Sequence, residues 1–285
     1  MKKSTTLLIA SLAAISAASA QVITTNLNET FATDGNITNT TQNLPGSARW
    51  YSSQAAANVN IASGVMTLGQ LTNTTMVGAL AYFTTSGNYV TLAQDGDWIQ
   101  LSLDYRYATN STLDNTFRMG LYSSGGTRST ADANNFNANA FSNWTGYQSR
   151  YTFGTNSSTR YGVTERSNGA NNLFGLGNTQ ITPNVQPSQG NDTNTWYSAT
   201  LKFTLTNSTI LIDASYAGQV ISRTDSVTLW TNFDSVVFGA SAPIGSYDID
   251  NVLVTSSIVP EPTTVAMLGL SGLALVAYRL RRRNR

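Results

Sequence analysis

The stretch DGDWIQLSLDYRY alternates strictly: Ile99, Leu101, Leu103, Tyr105 and Tyr107 interleave with Gln100, Ser102, Asp104 and Arg106. A period of two puts one face of a strand in a core and the other in water. Asp95-Gly96 supplies a turn before it. The same rhythm returns at Tyr197, Ala199, Leu201, Phe203 and Leu205. Asn207-Ser208 turns into Ile210, Ile212, Ala214 and Tyr216, and Ala217-Gly218 breaks again before Val220 and Ile221. Antiparallel strands joined by short turns produce this pattern.

Shorter apolar runs predict strands at Val59–Ile61, Val65–Leu68, Met76–Phe83, Phe117–Tyr122, Gln148–Phe153, Ser235–Gly239 and Tyr247–Thr255. No stretch of the body sustains a 3.6-residue period. Two Asn/Gly/Ser-rich stretches, about 123–146 and 165–195, read as long loops. Aromatic residues at 10% and a hydrophobic fraction of 41% argue against disorder. The expected fold is all-β, one antiparallel β-sandwich of jelly-roll or concanavalin-like type over residues 21–257.

Absences narrow the chemistry. With no histidine and no cysteine, the Ser-His-Asp triad, thiol catalysis and every His-based zinc site are excluded. Residues 22–257 carry nine basic side chains against 14 acidic ones, a net of about −5. A nucleic-acid partner wants a basic face and is not expected. Only two glutamates, Glu29 and Glu165, lie in that body. A glycoside hydrolase needs two carboxylates across its scissile bond, and the E-x-D-x-x-E arrangement of concanavalin-like glucanases is absent. The expectation is a non-enzyme.

The ends are distinct. Lys2 and Lys3, an apolar run from Leu7 to Ile15 and Ala18-Ser19-Ala20 have the layout of a signal peptide, residues 1–20. At the other end Val259-Pro260-Glu261-Pro262 precedes an uncharged run from Val265 through Leu270 and Leu275 to Tyr278. Arg279, Arg281, Arg282, Arg283 and Arg285 follow. The apolar run, with Leu280 included, spans roughly 24 Å as a helix at about 1.5 Å per residue. That is marginal against a hydrocarbon core of about 30 Å. A snorkelling Arg279 extends the span, and the arginines form a cytoplasmic stop.

Residues 258–285 resemble the PEP-CTERM sorting signal of Gram-negative bacteria. The resemblance implies that Pro260, Glu261 and Pro262 are recognised by an exosortase, a membrane-embedded transpeptidase-like enzyme. It also implies export machinery as a partner, a transient C-terminal membrane tether, and delivery to the cell surface or an exopolysaccharide matrix. The body is similar to concanavalin-like and carbohydrate-binding-module jelly rolls through Leu27–Phe31 and YDIDNVLVT at Tyr247–Thr255. That likeness implies Glu29, Asp248 and Asp250 as candidate ligands of a structural Ca2+, completed by other oxygens.

FSNWTGYQSRYTF and the following residues gather Phe141, Trp144, Tyr147, Tyr151, Phe153 and Tyr161 with Arg150 and Arg160. Aromatic faces beside polar groups build shallow sugar sites. Tyr151 and Phe153 fit core positions, whereas Trp144 and Tyr147, read as loop residues, are the carbohydrate-binding candidates. Nine N-x-[S/T] sequons, from Asn28 to Asn207, follow from a composition dense in Asn, Ser and Thr.

Overall fold

A computed structural model of the chain describes residues 21–32, 35–36, 50–53, 59–69, 77–107, 115–129, 131–132, 136, 141–153, 161–167, 169, 173–174, 178–185, 192–240, 246–259 and 279. Ile23–Ser257 cluster as one compact unit. The terminal segments, Met1–Val22 and Ile258–Arg285, cluster as a second, of which only Gln21, Val22, Ile258, Val259 and Arg279 are described. The signal peptide, Pro260-Glu261-Pro262, Val265, Leu270, Leu275, Tyr278, Arg281, Arg282 and Arg283 lie outside the described residues. Among the described residues no helix is long and apolar enough to cross a membrane.

The strands are β1 (Val22–Glu29), β2 (Gly35–Asn36), β3 (Tyr51–Ser52), β4 (Val59–Ala62), β5 (Val65–Leu68) and β6 (Val77–Tyr82). Then come β7 (Val90–Thr91), β8 (Trp98–Tyr107), β9 (Asn115–Ser123), β10 (Thr145–Phe153), β11 (Tyr161–Arg166) and β12 (Asn178–Val185). The series closes with β13 (Tyr197–Thr206), β14 (Thr209–Tyr216), β15 (Gln219–Asp225), β16 (Asn232–Phe233), β17 (Ser235–Ala240) and β18 (Tyr247–Ile258). One sheet runs β15-β14-β13-β8-β18-β5-β4-β2, with β1 also on β18. The other runs β12-β11-β10-β9-β17-β6-β3, and β16 pairs with β7 apart from both. Neighbours along both strand orders pair antiparallel, so the architecture is an antiparallel β-sandwich.

The two sheets share one core. Leu101, Leu201, Ile212 and Val254 from the first meet Met119, Tyr151, Val163 and Val236 from the second, all buried. Alternation explains the first sheet well: β8 reads half-exposed and buried in turn along its whole length. The second sheet differs, because β6, β11 and β17 are buried at every position. Its outer face is covered by a second apolar cluster, in which Phe136, Phe141, Trp144, Leu173 and Phe174 pack on Leu80, Tyr82, Tyr122 and Val237. Gly78 and Gly239, paired across β6 and β17, make room for the Phe174 ring; a Cβ at either would meet it at 3.0–3.1 Å.

The stretches expected to be long loops are therefore partly structural. Phe136, Phe141 and Trp144 form part of a cover over the second sheet, and β12 lies where a loop was expected. Pro183 within β12 cannot donate to a ladder, which suits the edge position that β12 occupies.

Candidate functional site

The outer face of the first sheet is open, polar and built from β8, β13 and β18. The antiparallel register sets Asp104 opposite Ser198 and Lys202 opposite Gln100. On the other side of β8 it sets Asp248 opposite Arg106 and Asp250 opposite Asp104. Arg106 Nε donates to Asp248 Oδ2 at 2.7 Å, and Thr67 Oγ1 donates to Asp248 Oδ1 at 2.7 Å. Such a surface ion pair adds about 0–1 kcal/mol. Its larger effect is to hold the guanidinium 4.8 Å from the centroid of the Trp196 ring. Trp196 is 39% exposed, a large apolar side chain on a mostly polar face.

Next to this pair, β18 bulges between Asp250 and Leu253. Asn251 takes a left-handed backbone with φ 52°, a conformation that Asn tolerates better than most residues. Its backbone N–H donates to Asp250 Oδ1 at 2.6 Å and its Nδ2 to Asp104 Oδ2 at 2.9 Å. One asparagine thus bridges two carboxylates that the register sets directly opposite each other. Ser198 Oγ donates to Asp104 Oδ1 at 2.7 Å. At the far end of the same ladder Lys202 Nζ lies 4.7 Å from the centroid of the Trp98 ring. The chemistry on offer is hydrogen bonding and ring stacking.

The expected aromatic site is placed elsewhere. Trp144 and Tyr147 are both 0% exposed, because Tyr147 is a strand residue of β10 and Trp144 immediately precedes that strand. Trp144 Nε1 donates to the Thr127 carbonyl at 2.9 Å, and its ring meets Phe141 and Tyr82 at centroid distances of 5.1 and 5.9 Å. The Tyr147 ring packs on Phe203 inside the core, and its hydroxyl donates to Asp225 Oδ2 at 2.7 Å. Burial pushes the Tyr147 phenol far above its ordinary pKa. Neither ring presents a face to a ligand.

The three calcium candidates also separate. Alternation along β1 turns Glu29 inward, where its Oε1 accepts from the Phe31 N–H at 2.7 Å and its Oε2 from Trp50 Nε1 at 3.4 Å. Asp248 and Asp250 sit on the opposite, outer face of the sheet. Among the described residues no three His, Cys, Asp or Glu side chains gather as a metal site.

Glu165 and Asp225 are a carboxylate pair that reading the sequence missed. Burial, then the Asp225 charge, raises the Glu165 pKa, while Trp230 Nε1 donates to its Oε1 at 2.9 Å. Asp225 accepts from Tyr147 and, through Oδ1, from the Val227 N–H at 3.0 Å. These bonds tie the 225–230 segment onto β10 and β11.

Residues 259–283 match the profile of the PEP-CTERM protein-sorting motif. No curated protein matches the chain. Among solved structures, the Emp46p carbohydrate recognition domain in its metal-free form is similar at 9% identity and a TM-score of 0.49, over 80% of this chain and 97% of that one. Lectin I from Ulex europaeus, in complex with a methyl glycoside of α-L-fucose, is similar at 11% identity and TM-score 0.47, over 83% of this chain and 98% of that one. The CBM2 module of the evolved Dit of Lactobacillus casei BL23 phage J-1 reaches 10% and 0.46, over 82% and 96%. These likenesses are loose, and nothing about a ligand follows from them. The chain ends in a PEP-CTERM protein-sorting motif, the mark of an exosortase substrate sorted to the cell envelope.

Proposed function

We propose that the protein is an exported, non-catalytic component of the cell surface or extracellular matrix, delivered by exosortase processing and associated there with exopolysaccharide. The observation that carries this reading is where the motif starts. The last strand, β18, ends at Ile258, and the motif begins at Val259. Every described strand of the sandwich lies upstream of Pro260-Glu261-Pro262, so processing there leaves all of them in the released body. The reading also fits a body with no histidine or cysteine and an acid excess that favours solubility in a hydrated matrix.

The test is an intact mass of the protein from its native cells, with the cell fraction recorded. Expected is a chain starting at Gln21 and ending near the Pro-Glu-Pro site, in the surface or matrix fraction. A mass that still contains Arg285, found only in membranes, makes the tail a plain anchor and removes the sorting step.

A further inference from the structure

The outer face of the β8–β13 ladder is a row of five cross-strand pairs: Trp98 with Thr204, Gln100 with Lys202, Ser102 with Thr200, Asp104 with Ser198, and Arg106 with Trp196 as the register continues. From residue 98 to 106 the row is roughly 26 Å long at about 3.3 Å per residue. An indole stands at each end, on the same face, with hydroxyl, amide and charged groups between. Each indole has a cation over its ring, 4.7–4.8 Å from the centroid, which holds the ring in place, and both side chains remain partly exposed. All β8 positions on this face are partly exposed. In a polar face of Thr, Ser and Gln, two partly exposed tryptophans at the ends of one ladder are the groups that water would expel first.

Charge narrows the occupant. On and beside the row stand Asp104, Asp248 and Asp250 against Arg106 and Lys202, and the body as a whole carries excess acid. The row's own residues hold one acid, Asp104, against two bases. Each base has a carboxylate beside it, Asp248 on Arg106 and Asp213 opposite Lys202, so no cationic stretch is left to hold a polyuronate or other anionic chain. A neutral chain of hydroxyl-rich rings needs no counter-charge, and a row of groups running along one ladder suits an extended chain.

We propose that the β8–β13 ladder is a binding platform for a neutral, extended polysaccharide, with Trp98 and Trp196 stacking on sugar rings at its two ends and Gln100, Ser102, Ser198 and Thr200 bonding the hydroxyls between. This rests on the exopolysaccharide-associated reading above and names the ligand class and the residues for it.

The experiment is affinity electrophoresis of the detergent-solubilised full chain through native gels holding either hydroxyethyl cellulose, a neutral extended glucan, or alginate, a polyuronate. Expected is retardation by hydroxyethyl cellulose with little by alginate. Trp196→Ala and Trp98→Ala should each weaken it by about tenfold, the loss of one stacked ring. Trp196→Phe should keep most of it. Near-ultraviolet circular dichroism of each variant reports whether the core is intact. Retardation by alginate alone, no retardation by hydroxyethyl cellulose, or full retardation of a folded Trp196→Ala chain overturns the proposal. Because the gel is run on purified chain, its outcome is independent of whether the tail is cleaved in cells.

Discussion

Glu29 shows what a single carboxylate does once the chain carries it inside. Its side chain is buried between Phe31 and Trp50. Desolvation raises its pKa, and bonds from the Phe31 and Thr30 backbone and from Trp50 offset this only in part. Glu165 and Asp234 are shifted the same way, in each case chiefly by burial. A carboxyl group with a raised folded pKa binds its proton more tightly folded than unfolded, so stability falls as pH rises through the interval between the two values. The Glu29 contribution is fully present below its unfolded pKa of about 4.3. It is lost progressively as pH climbs from there to the raised folded value. Glu29→Gln keeps an acceptor for the Phe31 N–H and removes the titration. Urea midpoints measured at steps from pH 4 to pH 7 should decline more steeply for the wild type than for Glu29→Gln. Parallel declines would mean that Glu29 is solvated after all.

At the scale of the element, what could be read in advance depended on how many faces a strand buries. In β8, β13 and β14 one face is wet, so apolar and polar residues alternate and the strands are visible in the sequence. In β11 both faces are buried, and YGVTER shows no alternation to find. The aromatic residues of 136–144 and 173–174 read as loop because nothing local says that a second sheet face needs a cover. The candidate site divides in the same way. Asp248 and Asp250 stand out within YDIDNVLVT, but their partners Arg106, Asp104 and Thr67 come from distant strands and are set only by register. Trp196, just before β13, gave no signal beyond being a tryptophan. The bulge at Asn251 gave none either, and it is the element on which the next prediction rests. Asn251→Gly relieves the positive φ but removes the bond to Asp104. Asn251→Ala does the second without the first, at an added cost of about 1–2 kcal/mol for a left-handed alanine. Both leave Asp104 and Asp250 opposed without the side-chain bridge, and opposed like charges destabilise a ladder. Chemical unfolding should therefore rank wild type above Gly above Ala, with part of the loss recovered in molar salt as the carboxylates are screened. Equal Gly and Ala stabilities would remove the backbone part of this account, and salt-independence would remove the electrostatic part.

At the scale of the whole molecule, the last strand in sequence is central in space. β18 lies between β8 and β5 and also pairs with β1, so the first and last strands of the sandwich are neighbours. The sheet cannot close until residues next to the sorting motif have entered it. Val252 and Val254 in that strand are fully buried, and each such side chain contributes about 1.5–3 kcal/mol by burial. With a typical domain stable by only about 5–15 kcal/mol, losing half of β18 is beyond what the fold can absorb. Among the described residues no strand follows Ile258. Two truncations separate these cases. A chain of residues 21–258 should unfold cooperatively in urea, with the same midpoint as the full chain. A chain of residues 21–249 keeps the β18 pairing with β5 through Ile249 but loses the rest, and should show no cooperative transition. If the 21–258 chain also fails to fold, the tail belongs to the body. An enzyme cutting at Pro260-Glu261-Pro262 would then release an unfolded polypeptide, and the delivery of a finished sandwich to the surface would have to be abandoned.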